Sequence, residues 1–330
     1  MPQGTARIHR AALLSLALVA GLIQATLVQA AEAVSGNLEF LYELNIASLG
    51  QGSGFKRTLF GPDLARLERP VALDVRDGEM LIADAGALII YRYDLESGVL
   101  SPVGKAGMKL VGDAGDLTIA SDGSFYVTDP DGHQVLHFSR KGRLLQVFRD
   151  ELNLSRPISV AIDEEHGKVL VADELFSHII VFDGKTAEAE RGIGRRGRLA
   201  PARFRIITDM VFKGGRLYVA ERVEWRLQVL DAEGRFLTHF GQDELRFPQA
   251  LAVTDDGRVL VADRMDNRIR IYRDGRLIER VGRNGSGPGE FRLVNDMTVD
   301  GDLLYVADSL NGRIQVFRIL PPPPHVLGAS

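Results

Sequence analysis

The 330-residue chain contains no cysteine. Disulfides, thiolate zinc sites and lipid anchoring through an N-terminal cysteine are therefore excluded. A surplus of positive charge is missing too: 40 Lys and Arg stand against 44 Asp and Glu, a formal net charge of −4. That balance argues against a general nucleic-acid binder. Helical periodicity is essentially absent beyond the first thirty residues, and no later stretch is apolar for long enough to span a bilayer. The chain also lacks a Gly-x-Ser-x-Gly elbow, a His-Glu-x-x-His motif and any other nucleophile–base pair in sequence. An active site would have to be assembled from dispersed residues.

The first thirty residues read as a targeting segment. Arg7 and Arg10 give a basic start, an apolar stretch runs from Ala11 to about Val28, and Val28-Gln29-Ala30 supplies small residues for cleavage after Ala30. The competing reading is an uncleaved anchor, because the stretch approaches the length of a membrane span. Ser15, Gln24, Thr26 and Gln29 interrupt it and favour cleavage. The mature chain is then periplasmic or secreted, with no membrane span left. Removal of the segment leaves 38 Lys and Arg against the same 44 acids.

What the chain does have is a repeat. Six times a hydrophobic run ends on a short tag: Leu81-Ile82-Ala83-Asp84, Tyr126-Val127-Thr128-Asp129, Leu170-Val171-Ala172-Asp173, Tyr218-Val219-Ala220-Glu221, Leu260-Val261-Ala262-Asp263 and Tyr305-Val306-Ala307-Asp308. The acids stand 42 to 48 residues apart, a period that belongs to one small sheet per unit. Each unit follows one plan, seen best in the fifth. A short strand (Ala250 to Val253) precedes the turn Asp255-Asp256-Gly257 and the tag strand (Arg258 to Asp263). A polar loop leads to a third strand (Arg268 to Tyr272), and Asp274-Gly275 turns the chain into a fourth (Leu277 to Val281). Alternating β-rich runs separated by Asp-Gly turns predict an antiparallel meander.

Four-stranded units repeated radially make a β-propeller, here all-β with six blades. The last unit stops after its third strand, Arg313 to Phe317, while Leu38 to Leu44 is a strand without a partner in the first unit. The N-terminal strand is therefore expected to close the ring onto the last blade, which removes exposed edges. The segment Gly50-Gln51-Gly52-Ser53-Gly54-Phe55 is similar to the inter-blade loop Gly285 to Phe291. The organisation predicted is a leader over 1–30, a linker over 31–36, a monomeric propeller over 37–320 and a Pro-rich tail over 321–330.

These residues carry a family resemblance. The succession Gly-x-x-Gly-x-Gly-x-x-x-Phe, a tag ending Tyr-Val-Ala-Asp, and Asn-x-Arg-Ile-x-Val-Phe resembles the NHL repeat. It is clearest in Gly282 to Phe291, Leu304 to Asp308 and Asn311 to Phe317, and weaker copies cover nearly the whole mature chain. The resemblance implies a fold and a range of roles: protein-binding modules, sensors, RNA-binding surfaces, and a few lyases and hydrolases.

In such a propeller the tag ends, the first-strand starts and the long inter-blade loops share one face, at the mouth of the central channel. Long loops beside a channel are where function is sought. The tag acids read as structural, each accepting backbone hydrogen bonds from the loop that follows. Glu221 departs from the pattern and is a candidate ligand group, and Arg226, Arg268 and Arg313 are expected to pair with neighbouring acids. Aligned on the tag, Ala72, Asp116, Ser159, Asp209, Ala250 and Asp296 share a register, so acids alternate with small residues. Asp116, Asp209 and Asp296, with Asn295 beside them, suit a hard ion such as Ca²⁺; the other reading is that each Asp caps its own strand start. His178 and His133 lie in tag-adjacent loops, where a metal site with a carboxylate is conceivable. Arg191, Arg195, Arg196 and Arg198, extended by Arg203 and Arg205, form a basic stretch suited to an anionic ligand or an acidic partner of the envelope or extracellular space. The expectation is a binding module for a protein or an anionic ligand, with no nucleic acid. The alternative is a metal-dependent hydrolase or lyase of the gluconolactonase-like propeller kind, built on the acid ring, Asn295 and His178 or Glu221.

Overall fold

A computed structural model of the chain describes residues 36–44, 67–103 and 114–321. The expected leader, the loop 50–55, and nearly all of the linker and the Pro-rich tail lie outside the described residues.

The described chain forms six four-stranded antiparallel sheets. The fifth blade runs Pro248–Val253, Val259–Asp263, Arg268–Arg273, Arg276–Val281, each strand pairing with the next. Asp274 and Gly275 have φ of 50° and 72°, the mirror-image turn that suits the right-handed twist of a two-residue hairpin. Burial follows position in the blade. The tag strand Val259–Asp263 is buried along its whole length, because neighbouring blades cover both its faces. The outer strand Arg276–Val281 alternates between exposed and covered side chains.

Each blade therefore finds its core between itself and the next. Six apolar clusters arise this way among the described residues, one at each blade boundary. Leu227 and Val229 of blade 4 meet Leu251 and Val261 of blade 5 in one of them. The cluster that joins the ends of the chain brings Ile82 and Tyr91 of blade 1 against Tyr305 and Val316 of blade 6. Stability built from nearest-neighbour contacts requires that this last boundary be sealed. Leu38–Leu44 completes the seal as the outer strand of blade 6, pairing antiparallel with Arg313–Ile319 from Leu38↔Ile319 to Leu44↔Ile314. The closure read from the missing fourth strand is the one observed.

Two details of the repeat have local physical causes. Gly282 and Gly194 take φ of 86° and 72° at the end of an outer strand, and a β-carbon on either would run into the ring of Phe291 or Phe204. Both rings are fully buried, so the Gly…Phe pairing of the inter-blade loop is a packing device. Four residues after each tag acid the backbone turns left-handed: Leu88, His133, Ser177, Trp225, Asn267 and Gly312 have φ between 52° and 61°. The sixth blade uses glycine there and the fifth the tolerant Asn267, so the other four loops carry steric strain of order 1 kcal/mol each.

Candidate functional site

The first strand of each blade starts where the tag strand ends, as in Pro248↔Asp263 and Pro157↔Asp173. This geometry puts the tag acids, the loops that follow them and the channel entrance on one face.

The tag acids knit that face together. Asp84 accepts the backbone N–H groups of Glu68 (2.7 Å) and Arg69 (3.0 Å) from the entering loop, and those of Gly86 and Ala87 from its own. Asp173 does the same with Ser155, Arg156 and Phe176, and Asp263 with Arg246, Phe247 and Met265. A buried carboxylate is tolerable when its lone pairs are filled this way. Glu221 fills the same post. It is fully buried, accepts the N–H of Arg205 (3.0 Å), and its extra methylene carries it to Arg226 (2.7 Å) and Gln228 (2.7 Å). Burial pushes the Glu221 carboxyl above its ordinary value, with the Arg226 guanidinium opposing that rise. The structure thus commits Glu221 inward, where the sequence offered it as a ligand group. Arg313 pairs with Asp308 (2.8 Å) in the same manner, whereas in blade 5 it is Arg270, not Arg268, that reaches the tag acid Asp263 (3.3 Å). Arg268 is exposed, and the register rule fails there by one turn of the pleat.

The alternating acids do gather around the channel, and their alternation has a mechanical meaning. Asp116, Asp209 and Asp296 each accept the backbone N–H of the next blade, from Val160 (2.8 Å), Leu251 (2.6 Å) and Leu73 (2.7 Å) respectively. Each donor follows the fully buried small residue at the shared register: Ser159, Ala250 or Ala72. An acid on one blade thus needs a small residue on the next to let its carboxylate reach across. Asp209 and Asp296 also accept the N–H of the residue after them. The cap expected on each acid's own strand is therefore a clasp between blades. Asp74, two residues deeper in blade 1, bridges Ile119 (2.8 Å) of blade 2 and Thr298 (2.9 Å) of blade 6.

The ring brings its carboxylates close together, and its electrostatics follow from that. Burial, then the Asp209 carboxylate, pushes Asp116 well above the usual range. Burial, then Asp116 and Asp209, does the same to Asp296, and burial pushes Asp209 up to about 6. The Ser159 hydroxyl lies 2.8 Å from Asp116 and 3.1 Å from Asp209 while accepting the N–H of Met210. One hydroxyl proton cannot serve both carboxylates, so a second, shared proton fits the geometry. The donor set does not fit Ca²⁺: the carboxylate oxygens face N–H groups, whose positive ends oppose a cation. No group of three or more His, Cys, Asp or Glu among the described residues is placed to hold a metal ion. Asn295 sits at a β-bulge, one of five that open the first strands at the mouth. His178 donates to the carbonyl of Asn153 (2.7 Å) and His133 to that of Ser155, so each ring is tied to an inter-blade loop.

The basic stretch is dispersed. Arg191 lies within the outer strand Ala189–Ile193 and donates to the carbonyls of Ala232 and Glu233 in a blade-4 turn, away from the mouth. Arg195 and Arg196 are exposed in a two-residue parallel pairing with Arg203 and Phe204. Arg198 is paired with Glu224 at 3.2 Å. Arg196 joins Arg156 and Arg205 around a cleft of about 280 Å³ between blades 3 and 4, with Glu174 and Leu175 on its wall.

Sequence reading overlooked the more regular basic feature. Arg205, Arg246 and Arg292 stand two residues before the first strands of blades 4, 5 and 6, and Arg222 and Arg264 directly follow the tag acids of blades 4 and 5. They form a crescent on one side of the mouth. Arg222 and Arg264 sit over the Phe247 ring, at 5.2 and 5.4 Å, and Arg246 over Trp225 at 5.4 Å. Stacking of this kind fixes guanidiniums that would otherwise sweep through solvent. The same tag register that exposed the channel acids would have exposed the crescent. A second cleft of about 250 Å³, between blades 5 and 6, holds Arg264, Arg292 and Leu310.

Comparison with known proteins agrees with this architecture. Residues 242–319 match a family described as a 6-bladed beta-propeller. The fold of this chain is an all-β six-bladed propeller of four-stranded antiparallel blades. NHL repeat-containing protein 3 is 33% identical in the human form and 31% in the mouse form, each over 96 residues. Those matches span 28% of this chain and 28% of the relatives, well under two thirds of their length. Among solved structures, a structural genomics protein from Bacteroides thetaiotaomicron superposes with a TM-score of 0.60 at 14% identity, covering 78% of this chain and 70% of its own. Virginiamycin B lyase from Staphylococcus aureus gives 0.59 at 14% identity, covering 84% and 98%. At such identities the likeness is one of fold. No helix among the described residues is long and apolar enough to cross a membrane.

Proposed function

We propose that this propeller is a binding module that engages an anionic partner with the mouth of blades 3 to 6. The observation that carries the reading is the arginine crescent, with its cleft at Arg156, Arg196 and Arg205, on a chain whose overall charge is negative. A chain with excess acid that gathers arginines on one rim creates a local field that captures and orients anions, and Glu174 neutralises only the part of it carried by Arg156 (2.9 Å) and Arg222 (3.6 Å). Binding is favoured over hydrolysis or elimination because the carboxylates the alternative needs are already occupied. Glu221 holds Arg226 and Gln228, and the channel acids hold neighbouring blades. We also propose that the chain is exported, on the strength of its basic, then apolar N-terminus ending in Val28-Gln29-Ala30. The partner would then be an envelope or extracellular one.

Titration with poly-L-glutamate at increasing salt tests the binding reading. Saturable binding that weakens with salt, and falls about tenfold or more in Arg196→Glu/Arg205→Glu, is expected. Binding that ignores both changes would refute it. For export, the protein should be recovered from the envelope or the medium of its native cell with Ala31 at its N-terminus; recovery from the cytoplasm with Met1 retained would count against it.

A further inference from the structure

We infer that the partner is an acidic protein segment in which carboxylates are interleaved with apolar side chains. This rests on the binding reading above and specifies its ligand class. The arginines of the crescent do not stand alone. Two residues after the tag acids of blades 3 to 6 come Leu175, Val223, Met265 and Leu310, where blades 1 and 2 have Gly86 and Asp131. Leu175, Met265 and Leu310 are 57%, 68% and 58% exposed, and Trp225 in the same series of loops is 47% exposed. One lone exposed leucine needs no explanation, but apolar residues repeated at one register along one rim do. Blades that carry the apolar residue are also those that carry, or border, the arginines.

The two clefts repeat the combination. They lie at blade boundaries 3/4 and 5/6, and Arg205 and Arg292 occupy the same register in each. Ile206 and Leu293, the residues that follow, both have left-handed backbones, with φ of 60° and 65°. Leu175 lines one cleft and Leu310 the other. Each cleft therefore offers a fork-shaped donor for a carboxylate beside an aliphatic surface, and the stacked Arg246–Trp225 pair and Met265 lie on blades 4 and 5 between them. Charge complementarity calls for an acidic occupant, and the aliphatic surface calls for one with side chains to bury. A nucleic acid fits less well. It would need a succession of open aromatic faces for its bases, whereas Phe247 and Trp225 have arginines stacked on them and Phe176, 41% exposed, leans on His178.

The test is selection of random short peptides by display on the purified protein. Each selected peptide is then measured by fluorescence anisotropy beside poly-L-glutamate and a single-stranded oligonucleotide. Selected sequences should mix Asp or Glu with Leu, Ile, Met or Phe. Their affinity should fall about tenfold or more both in Leu175→Ser/Leu310→Ser and in Arg205→Ser/Arg292→Ser, while poly-L-glutamate binding falls in the arginine variant alone. Unchanged melting temperatures in both variants confirm that folding is intact. The inference is overturned if selection yields neutral or basic peptides, if the leucine variant binds the peptide as the parent does, or if the oligonucleotide binds more tightly than any peptide. Poly-L-glutamate binding accompanied by peptide binding that does not depend on the leucines sinks this inference and leaves the broader reading standing. Absence of poly-L-glutamate binding sinks the broader reading and this inference with it.

Discussion

The channel and its rim lie side by side, and they use charge in opposite ways. Inside, Asp74, Asp116, Asp209 and Asp296 face one another, and each spends oxygens on backbone or hydroxyl donors that include a neighbouring blade. On the rim, Arg205, Arg222, Arg246, Arg264 and Arg292 stand on one side, and three of them stack on aromatic rings. Both sets follow the repeat register. The inner set departs from it in alternate blades because a clasp needs an acid on one side and a small residue on the other. The outer set departs from it by halves, present in blades 4 to 6 and absent from blades 1 and 2 but for Arg69. Alternation is a solution to packing; one-sidedness is what the proposed partner would require.

That contrast can be broken most forcefully where a buried charge depends on one partner. Arg226→Ala leaves Glu221 fully buried with its counter-charge gone, and is expected to cost about 3–5 kcal/mol, read from the urea midpoint. Asp209→Ala removes the acceptor of Leu251 and Met210, and is expected to cost about 2–4 kcal/mol, softened by relief of repulsion in the ring. Either variant remaining as stable as the parent would mean the clasps are ornamental.

Acid titration sharpens the comparison further. Asp209 is pushed up to about 6 in the folded protein, above the value of roughly 4 expected when unfolded. The folded state thus holds the proton more tightly. Its contribution to stability is complete below about pH 4 and is lost as pH rises through about 6. Asp116 and Asp296, raised by burial and by one another's neighbours, act in the same direction. His137, lowered by burial, acts against them. The melting temperature is expected to be higher at pH 5 than at pH 7.5, with a flatter slope in Asp209→Ala. The smallest effect concerns the tag loops. Leu88→Asn places a residue tolerant of left-handed backbone where φ is 57°, and should gain up to about 1 kcal/mol without altering binding.

Much of the fold was legible because strands, turns and tags repeat with local signals. Asp274-Gly275 announces its hairpin, and the missing fourth strand of the last unit announces the closure by Leu38–Leu44. Within the site, the ring of Asp116, Asp209 and Asp296 was visible as a pattern. Its purpose was not, because the donors of Val160, Leu251 and Leu73 belong to a different blade and backbone N–H groups have no signature in sequence. Glu221 looked free because its partners Arg226 and Gln228 are named only by strand pairing. The run from Arg191 to Arg198 looked like one patch because contiguity in sequence is easy to see. The crescent, spread over the chain from Arg205 to Arg292, appears only when each unit is laid on the next.

The most direct test of the division between rim and channel is a parallel measurement on one rim variant and one channel variant. Poly-L-glutamate affinity and melting temperature would be determined for Arg246→Glu/Arg292→Glu and for Asp209→Ala under the same salt and pH. The rim variant should melt like the parent and lose about tenfold or more in affinity, while the channel variant should melt early and, below its transition, bind like the parent. A rim variant that binds as tightly as the parent, or a channel variant that loses binding while still folded, would contradict the account.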